Sequence, residues 1–384
     1  MSAFATPEGT RRCATRLTDR AAAGFFRTQQ GLLLSSFGIG TYLGEPDSAT
    51  DQTYTDAVIT AVSGGINVVD SAINYRFQRS ERSVGAALQK LAAAGIAREE
   101  LVLCTKGGFL TPDGEMPADP GAYFSSEYIQ AGILRPEDVA AGCHAMSPLY
   151  LKDQLSRSLR NLAIECIDVY YLHNPETQLG EVPREEFNRR VRAAFEFLES
   201  AVEAGTIRFY GLATWNAFRQ PQDAPDSLSL AELEIFASEI AGEKHHFRFV
   251  QLPFNLGMTQ ALTLANQSLG DRLLPMIEVA HALDITLITS ASLHQGRLMR
   301  NLPKFIADSL GLENDLQRAL QFARSAPGIA TALVGMSRVE HVRENLKLVG
   351  IAPATEEQFT RLFERRESAG SFCTLRRTVP ADSA

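Results

Sequence analysis

Strand-like and helix-like segments alternate along almost the whole chain, and this alternation is the feature that most limits the possible fold. Short apolar segments rich in β-branched residues, such as residues 101–105 and 285–288, are each followed by a longer segment with one apolar helical face. This order is typical of α/β proteins with a parallel sheet. Eight strand–helix units can be counted, and eight units favour a closed (β/α)8 TIM barrel over an open, doubly wound sheet.

The boundaries follow from apolar periodicity and from glycines that end helices. The predicted strands are residues 36–40, 66–69, 101–105, 167–172, 209–212, 249–252, 285–288 and 330–334. The predicted helices are residues 52–63, 81–94, 151–162, 187–204, 230–241, 273–283, 316–325, 339–349 and 356–367. The last of these helices lies beyond the barrel pattern.

We therefore expect three regions along the chain. Residues 1–30 form an N-terminal extension, residues 31–350 form the barrel, and residues 351–384 form a C-terminal tail with one helix. The length of 384 residues is compatible with one barrel domain and these additions, because α/β barrels often exceed 250 residues.

A long insert, residues 107–147, interrupts the alternation after the third strand and is rich in Gly, Pro and Ala. It leaves the C-terminal end of a barrel strand, which is where the active sites of such barrels lie. Long loops inside compact domains are commonly functional. The insert is thus either a substrate-covering lid that carries Tyr123, Phe124 and Tyr128, or a peripheral or oligomer-contact segment.

Charge and cysteine content exclude several classes of function. The net charge of −8 argues against nucleic acid as a partner, because phosphate binding needs clustered Lys and Arg. No segment is long and apolar enough to span a membrane, and the N-terminus lacks the apolar core of a secretory signal, so we expect a cytoplasmic protein. Cys13, Cys104, Cys143, Cys166 and Cys373 are scattered without metal-ligand spacing, so no metal site is expected.

Four polar residues lie where predicted strands end. Asp70 ends the second strand, with Tyr75 five residues later; Lys106 ends the third strand, and His173 ends the fourth. The C-terminal ends of neighbouring barrel strands converge on one mouth, so these four side chains should lie close together. Each of them alone is more often structural, and only their joint placement indicates a site.

This set of side chains suits the reduction of a carbonyl group. The alkoxide that forms must receive a proton, and Tyr75 can donate one if the Lys106 ammonium lowers the pKa of its hydroxyl. Asp70 would hold Lys106 by charge pairing, and His173 could donate a hydrogen bond to the substrate oxygen.

The residues around these four carry a family resemblance. Gly-Ile-Asn-Val-Val-Asp-Ser-Ala at residues 65–72, followed by Tyr75 and Glu81, resembles the first signature segment of the aldo-keto reductase superfamily. Thr-Lys at residues 105–106 and Tyr-Leu-His-Asn at residues 171–174 are similar to the lysine and histidine segments of that family.

The resemblance extends over nearly the whole predicted barrel and implies its function. It implies an NAD(P)(H)-dependent oxidoreductase that transfers a hydride between a nicotinamide and a small carbonyl or alcohol substrate, such as an aldehyde, a ketone or a sugar. It also implies that Tyr75 is the general acid/base, assisted by Asp70, Lys106 and His173.

The resemblance further implies a set of residues that bind the cofactor. They are Thr214, Asn216, Gln251, Ser290, Leu293, Gly296, Gly335, Ser337, Arg338, His341, Glu344 and Asn345. Gln251 corresponds to the residue that holds the nicotinamide carboxamide. Thr214 stands where the family has a carboxamide-binding Asn, and Asn216 follows two residues later, so either could make this contact. Ser290 replaces the aromatic residue that usually stacks on the nicotinamide.

The segment that would bind the adenosine end favours NADP(H) over NAD(H). Arg338 and Ser337 could hold a 2′-phosphate, since a guanidinium fork suits phosphate geometry. His341 occupies a position that is often basic in members preferring NADPH, but imidazole is a weaker cation at neutral pH.

Two other functions remain open at the level of sequence. A Schiff-base lyase could use Lys106, because a barrel lysine with a lowered pKa can attack a carbonyl. A regulatory barrel that binds the nucleotide and turns over slowly is also compatible with the altered residues Thr214 and Ser290.

Overall fold

Eight parallel strands close into a barrel in the computed structural model, which describes residues 3–364 of the chain. The barrel strands are β3 (Phe37–Gly40), β4 (Val68–Asp70), β5 (Val102–Gly107), β6 (Ile167–His173), β7 (Ile207–Ala213), β8 (Phe247–Pro253), β11 (Thr286–Ser290) and β12 (Ile329–Gly335). Around the barrel their order is β11-β12-β3-β4-β5-β6-β7-β8, and β8 pairs with β11 to close it. The predicted (β/α)8 fold is confirmed, with each of the eight strands within a few residues of its predicted position.

Helices surround the barrel. Those of the described chain are α1 (Pro7–Thr15), α2 (Ser48–Ser63), α3 (Arg79–Ala93), α4 (Pro120–Phe124), α5 (Pro148–Leu162), α6 (Arg184–Glu203), α7 (Leu230–Ala241), α8 (Gln260–Thr263), α9 (Met276–Ala282), α10 (Lys304–Leu310), α11 (Asp315–Ser325), α12 (Val339–Leu346) and α13 (Glu356–Glu364). The tail helix predicted at 356–367 begins as expected, and residues 365–367 lie outside the described part, as does Cys373.

One predicted helix is wrong over its first residues. Residues 273–275 belong to a hairpin of β9 (Ala265–Leu269) and β10 (Arg272–Pro275), and α9 begins only at Met276. Gly270 has a φ of +58°, which allows the tight turn between the two strands. Pro275 then caps α9 in an extended conformation. The sequence prediction took Leu273 for a helical apolar position, whereas its side chain is half exposed.

A helix and a hairpin close the N-terminal end of the barrel. β1 (Phe26–Gln29) pairs with β2 (Leu32–Ser35), and Leu32 and Leu34 pack with Val68 and Phe249 in the barrel interior. The backbone N–H of Ala5 donates a 2.6 Å hydrogen bond to the buried carboxylate of Asp168 on β6. The first thirty residues therefore contain regular structure that contacts the base of the barrel.

The insert folds around a small apolar core of its own. Tyr128 and Leu134 are buried against Ala145 and Tyr150, and the Tyr128 hydroxyl donates to the carbonyl oxygen of Thr111. Tyr128 is therefore inaccessible to a substrate in this conformation, although the sequence analysis placed it among the lid aromatics. Arg157 of α5 forms ion pairs with Glu127 of the insert and with Asp153.

Candidate active site

The four strand-end residues predicted from the sequence meet at the C-terminal mouth of the barrel. The Lys106 ammonium Nζ lies 2.5 Å from Asp70 Oδ1 and 3.3 Å from the Tyr75 hydroxyl. It also donates to the backbone oxygen of Ser71 at 2.7 Å. The His173 ring lies edge-on to the Tyr75 ring, with 5.9 Å between their centroids.

Strand register explains why these residues meet. β4, β5 and β6 are consecutive in the barrel, with Asp70 paired to Cys104 and Lys106 paired to Tyr171. Asp70 and His173 end their strands, whereas Lys106 is the penultimate residue of β5. Because parallel strands present their C-terminal ends at one rim, the side chains reach the same space.

Tyr75 lies in the loop after β4, and an unusual backbone conformation follows it. Arg76, Phe77 and Gln78 all have positive φ angles, from +48° to +71°, although none is glycine. Such angles cost on the order of 1 kcal/mol per residue, so the surroundings must hold them in place. The buried Arg76 guanidinium does so by bonding Asp51 at 2.9 Å and Ser80 at 3.1 Å.

Burial and charge set the protonation states in the site. Burial raises the pKa of Asp70, while the ammonium of Lys106 acts in the opposite direction. Burial alone would lower the pKa of Lys106, but the carboxylate of Asp70 and its hydrogen bonds outweigh it, so the pKa is raised. Lys106 therefore stays an ammonium, which is the partner that Asp70 needs in order to remain a carboxylate.

The pKa of Tyr75 is raised, whereas the sequence analysis expected Lys106 to lower it. Lys106 lowers the pKa of the Tyr75 hydroxyl as expected, but burial has the larger effect, and the pKa is raised above its ordinary value. Burial also lowers the pKa of His173 well below its ordinary value, so its ring is neutral. At neutral pH the site holds a protonated phenol and a neutral imidazole.

The residues predicted to bind a cofactor lie on the other side of the mouth. Thr214 and Asn216 follow β7, Gln251 is on β8, Ser290 ends β11, and Gly335 ends β12. These four strands are neighbours in the barrel order. Because the loop after β11 adjoins the loop after β12, Leu293 and Gly296 belong to the same side.

Several buried polar side-chain atoms of the described residues have no hydrogen-bond partner. On this side of the mouth they include Thr214 Oγ1, Thr289 Oγ1, Ser292 Oγ and Asn345 Oδ1. Buried polar groups without partners are rare and normally need an explanation, such as a ligand that the site is built to hold. A Cβ added at Gly335 would meet open space, so the mouth has room beside β12. These features are compatible with a polar ligand at this side of the mouth.

The side chains of two predicted cofactor residues, Gln251 and Glu344, bond to protein groups. The Gln251 side-chain amide donates to Asp70 Oδ2 at 2.9 Å, across the barrel from β8 to β4. The Glu344 carboxylate accepts from Asn314 and Gln317 and pairs with Lys347 at 2.7 Å. At the start of α12, Ser337 is partly buried, whereas Arg338 and His341 are exposed.

Sequence reasoning did not find Glu176, a buried carboxylate close to both sides of the mouth. Its Oε1 accepts from the backbone N–H groups of Trp215 at 2.6 Å and of Asn216 at 3.2 Å. It thereby fixes the loop after β7 that carries Thr214 and Asn216. Its position three residues after His173 places it near the mouth of the barrel. Its hydrogen bonds, however, go to backbone groups about forty residues away, and such contacts leave no pattern in the sequence.

Within residues 3–364, no cluster of three or more His, Cys, Asp or Glu side chains has an arrangement that could hold a metal ion. None of the helices in that range combines the length and apolar character required to cross a lipid bilayer.

Comparison with known proteins agrees with this architecture. The model of the aldo/keto reductase family matches residues 36–366. Among curated proteins, an uncharacterized oxidoreductase of Bacillus subtilis, YqkF, is 23% identical over 308 residues, which are 79% of this chain and 84% of that protein. A proposed voltage-gated potassium channel subunit beta of Schizosaccharomyces pombe is 24% identical over 343 residues, 84% of this chain and 87% of that protein.

Solved structures share the fold at lower identity. An aldo/keto reductase from Klebsiella pneumoniae in complex with NADP and acetate gives a TM-score of 0.59 at 19% identity, covering 93% of this chain and 100% of that one. The glycerol dehydrogenase AKR11B4 from Gluconobacter oxydans gives 0.62 at 17% identity, covering 94% and 100%. With its closed barrel and a family match over most of its length, the chain belongs to the aldo/keto reductase family, whose members are oxidoreductases.

Proposed function

We propose that the protein is an NADP(H)-dependent oxidoreductase that interconverts a small carbonyl compound and its alcohol, with Tyr75 as general acid/base. The observation that carries this proposal is the buried Lys106 ammonium, which lies within hydrogen-bonding distance of both the Asp70 carboxylate and the Tyr75 hydroxyl. That arrangement links a proton donor to a fixed positive charge at the mouth of the barrel.

Each of the four residues has a role in the reduction of a carbonyl. The nicotinamide, when bound, supplies the hydride. His173, which is neutral, donates a hydrogen bond to the substrate oxygen and orients it. Tyr75 gives its hydroxyl proton to that oxygen, and the phenolate left behind is stabilised by Lys106. Asp70 keeps Lys106 in place, and in alcohol oxidation Tyr75 acts as the base.

The residues across the mouth fit a nicotinamide dinucleotide. Thr214, Ser292 and Asn345 offer buried polar atoms without protein partners. Arg338 is exposed at the start of α12, where a guanidinium could pair with a 2′-phosphate, which favours NADP(H) over NAD(H). The structural neighbour from Klebsiella pneumoniae was solved with NADP, which agrees with this preference.

A titration with NADPH and separately with NADH tests the proposal first. Trp215, the only tryptophan of the chain, lies beside Thr214 and reports binding by its fluorescence. We expect NADPH to bind more tightly, and the complex to reduce probe carbonyls such as 4-nitrobenzaldehyde and glyceraldehyde. Failure of folded protein to bind either nucleotide would remove the proposed function.

A second candidate function is a nucleotide-binding regulatory barrel with slow turnover. It is favoured by the similarity to the proposed potassium channel subunit of Schizosaccharomyces pombe and by Ser290, which replaces a stacking aromatic residue. Tight NADPH binding with only slow single-turnover oxidation over a broad carbonyl panel would support it. Rapid multiple turnover would exclude it.

A Schiff-base lyase is disfavoured by the state of Lys106. An amine must be neutral to attack a carbonyl, whereas the Asp70 carboxylate raises the pKa of Lys106 and keeps it protonated. Treatment with borohydride in the presence of the probe carbonyl should therefore leave no covalent adduct on Lys106.

A further inference from the structure

The last residues of the insert contact the backbone of His173. His144 is fully buried, and its Nε2 lies 2.8 Å from the carbonyl oxygen of His173. A carbonyl oxygen can only accept, so Nε2 carries the proton and donates this hydrogen bond. Phe109, at the other end of the insert, packs edge-on against both the His144 and the His173 rings, at 5.1 and 5.0 Å.

Further side chains fix the orientation of His144. The Gln178 amide donates to His144 Nδ1 at 2.9 Å and to the His144 carbonyl oxygen at 3.1 Å. Its amide oxygen in turn accepts from Arg190 of α6 at 2.6 Å. The same guanidinium donates to the backbone oxygen of Glu137 in the insert at 2.8 Å. The ring of His144 is therefore held on both nitrogens.

A glycine makes the contact between the two histidines possible. Gly108 has a φ of +148°, and a Cβ at this position would lie 2.8 Å from His144 Nε2 and 2.9 Å from the His173 oxygen. Any larger residue would thus enter the space of the hydrogen bond. On the other side of His173, the N–H of Asn174 donates to the Ala213 oxygen at 2.6 Å, with Asn174 in a left-handed conformation.

We propose that His144 is a positioning residue of the reaction, which sets the place of the His173 imidazole through the His173 backbone. This inference rests on the proposed function, in which His173 orients the substrate oxygen. His144 touches neither substrate nor cofactor in this role. It makes the folded insert a part of the active site, because the insert supplies the donor that holds the end of β6.

Burial and the two hydrogen-bond partners of the His144 ring are consistent with a neutral imidazole. Burial lowers the pKa of His144 to about 4, so its ring is neutral around pH 7. Neutral imidazole has one donor and one acceptor nitrogen, which matches one carbonyl and one amide donor as partners.

The test compares two substitutions at His144 with a matched control. His144→Leu removes the donor, whereas His144→Gln keeps a side-chain N–H that can reach the His173 oxygen. His281→Leu makes the same chemical change at an exposed position on α9. Gln178→Met keeps the His144 side chain but removes the amide that donates to its Nδ1. This variant keeps the test informative if His144→Leu does not fold.

With 4-nitrobenzaldehyde and NADPH, we expect His144→Leu to lower kcat by about tenfold to a hundredfold, as for a small misplacement of a site residue. NADPH binding should change less than about twofold, because the cofactor side is untouched. His144→Gln should recover most of the loss, Gln178→Met should show a smaller loss in the same direction, and His281→Leu should match the wild type. Equal losses in the Leu and Gln variants, or an unchanged kcat in both His144→Leu and Gln178→Met, would overturn the proposal.

A measurement without turnover separates this inference from the proposed function. Histidine-selective NMR labelling should give one sharp His173 imidazole signal in the wild type and in His144→Gln, and a broadened or split signal in His144→Leu. If the wild type reduces no carbonyl but the signals behave in this way, only the proposed function fails. An unchanged His173 signal in folded His144→Leu would refute the positioning role.

Discussion

Tyr75 has a protonated hydroxyl that lies 3.3 Å from the Lys106 ammonium, whose positive charge can stabilise the phenolate. Replacing Tyr75 by Phe removes the proton donor and changes little else, so kcat for carbonyl reduction should fall by about a hundredfold to ten-thousandfold. NADPH affinity, measured by Trp215 fluorescence, should stay the same. Tyr42→Phe is the matched control, since the Tyr42 ring packs against Tyr75 at 4.9 Å. Comparable activity in Tyr75→Phe would mean that another group donates the proton.

The raised pKa of Tyr75 predicts how the rate depends on pH. Reduction needs the protonated phenol, and burial moves its loss of a proton to higher pH than the ordinary value of about 10. The kcat for reduction should therefore be flat from neutral pH to about pH 10, whereas alcohol oxidation, which needs the phenolate, should rise over this range. Pre-steady-state rates in both directions measure this. A fall in the reduction rate between pH 7 and 9 would contradict it.

Arg338 is where the choice between the two cofactors can be tested. If its exposed guanidinium pairs with the 2′-phosphate, Arg338→Ala should weaken NADPH binding by about tenfold or more and leave NADH binding within about twofold. Fluorescence titration of both nucleotides measures this, with Arg343→Ala on the same helix as control. Equal losses for the two nucleotides would make Arg338 a general contact.

At the level of single residues, the sequence predicted the side chains that contact one another at the strand ends. It did not predict the residues whose side chains bond to the backbone. Asp70, Lys106 and His173 were predictable because neighbouring parallel strands must bring their ends together. Glu176 and His144 were not, because each bonds to a main-chain group whose position depends on the complete fold. The balance between burial and charge at Tyr75 likewise requires the packed structure.

Among the elements, the strands and most helices were predictable, and the exceptions have local causes. Most residues of the barrel strands are buried and apolar, so these strands stand out in the sequence. The hairpin β9–β10 was hidden because Leu273 and Leu274 continue the apolar pattern of α9, and only the turn at Gly270 separates them. The N-terminal hairpin was not predicted because three of the four residues of β1 are polar and β2 has only three consecutive apolar residues, Leu32 to Leu34.

The insert is attached to the barrel by α5 as well as by its two ends. Arg157 pairs with Glu127, and its guanidinium lies 5.4 Å from the centroid of the Tyr128 ring. Arg157→Met should therefore loosen residues 120–130, which hydrogen exchange would detect as faster exchange confined to that segment. Arg160→Met, one turn further along α5, is the control. Unchanged exchange would mean that the apolar core of the insert suffices to hold it.

For the molecule as a whole, the N-terminal hairpin contributes to the apolar cluster inside the barrel. Leu34 is fully buried beneath the barrel strands, so Leu34→Ala should reduce the free energy of unfolding by about 2–5 kcal/mol. Urea denaturation measures this, and Leu273→Ala, at a half-exposed position, should have little effect. Because Leu34 is at the opposite end from the site, kcat should not change. A loss below about 1 kcal/mol would show that the hairpin is only loosely attached.

The barrel order divides the mouth into two arcs with different tasks. β4, β5 and β6 carry the residues proposed for acid–base chemistry, and β7, β8, β11 and β12 carry those proposed for the cofactor. Under the proposed roles, acid–base chemistry and cofactor preference should be separable, so a chimera that takes each arc from a different parent should combine the two properties. The Gln251–Asp70 hydrogen bond connects the two arcs. We therefore expect a chimera to need a residue at position 251 that can still donate a hydrogen bond to Asp70.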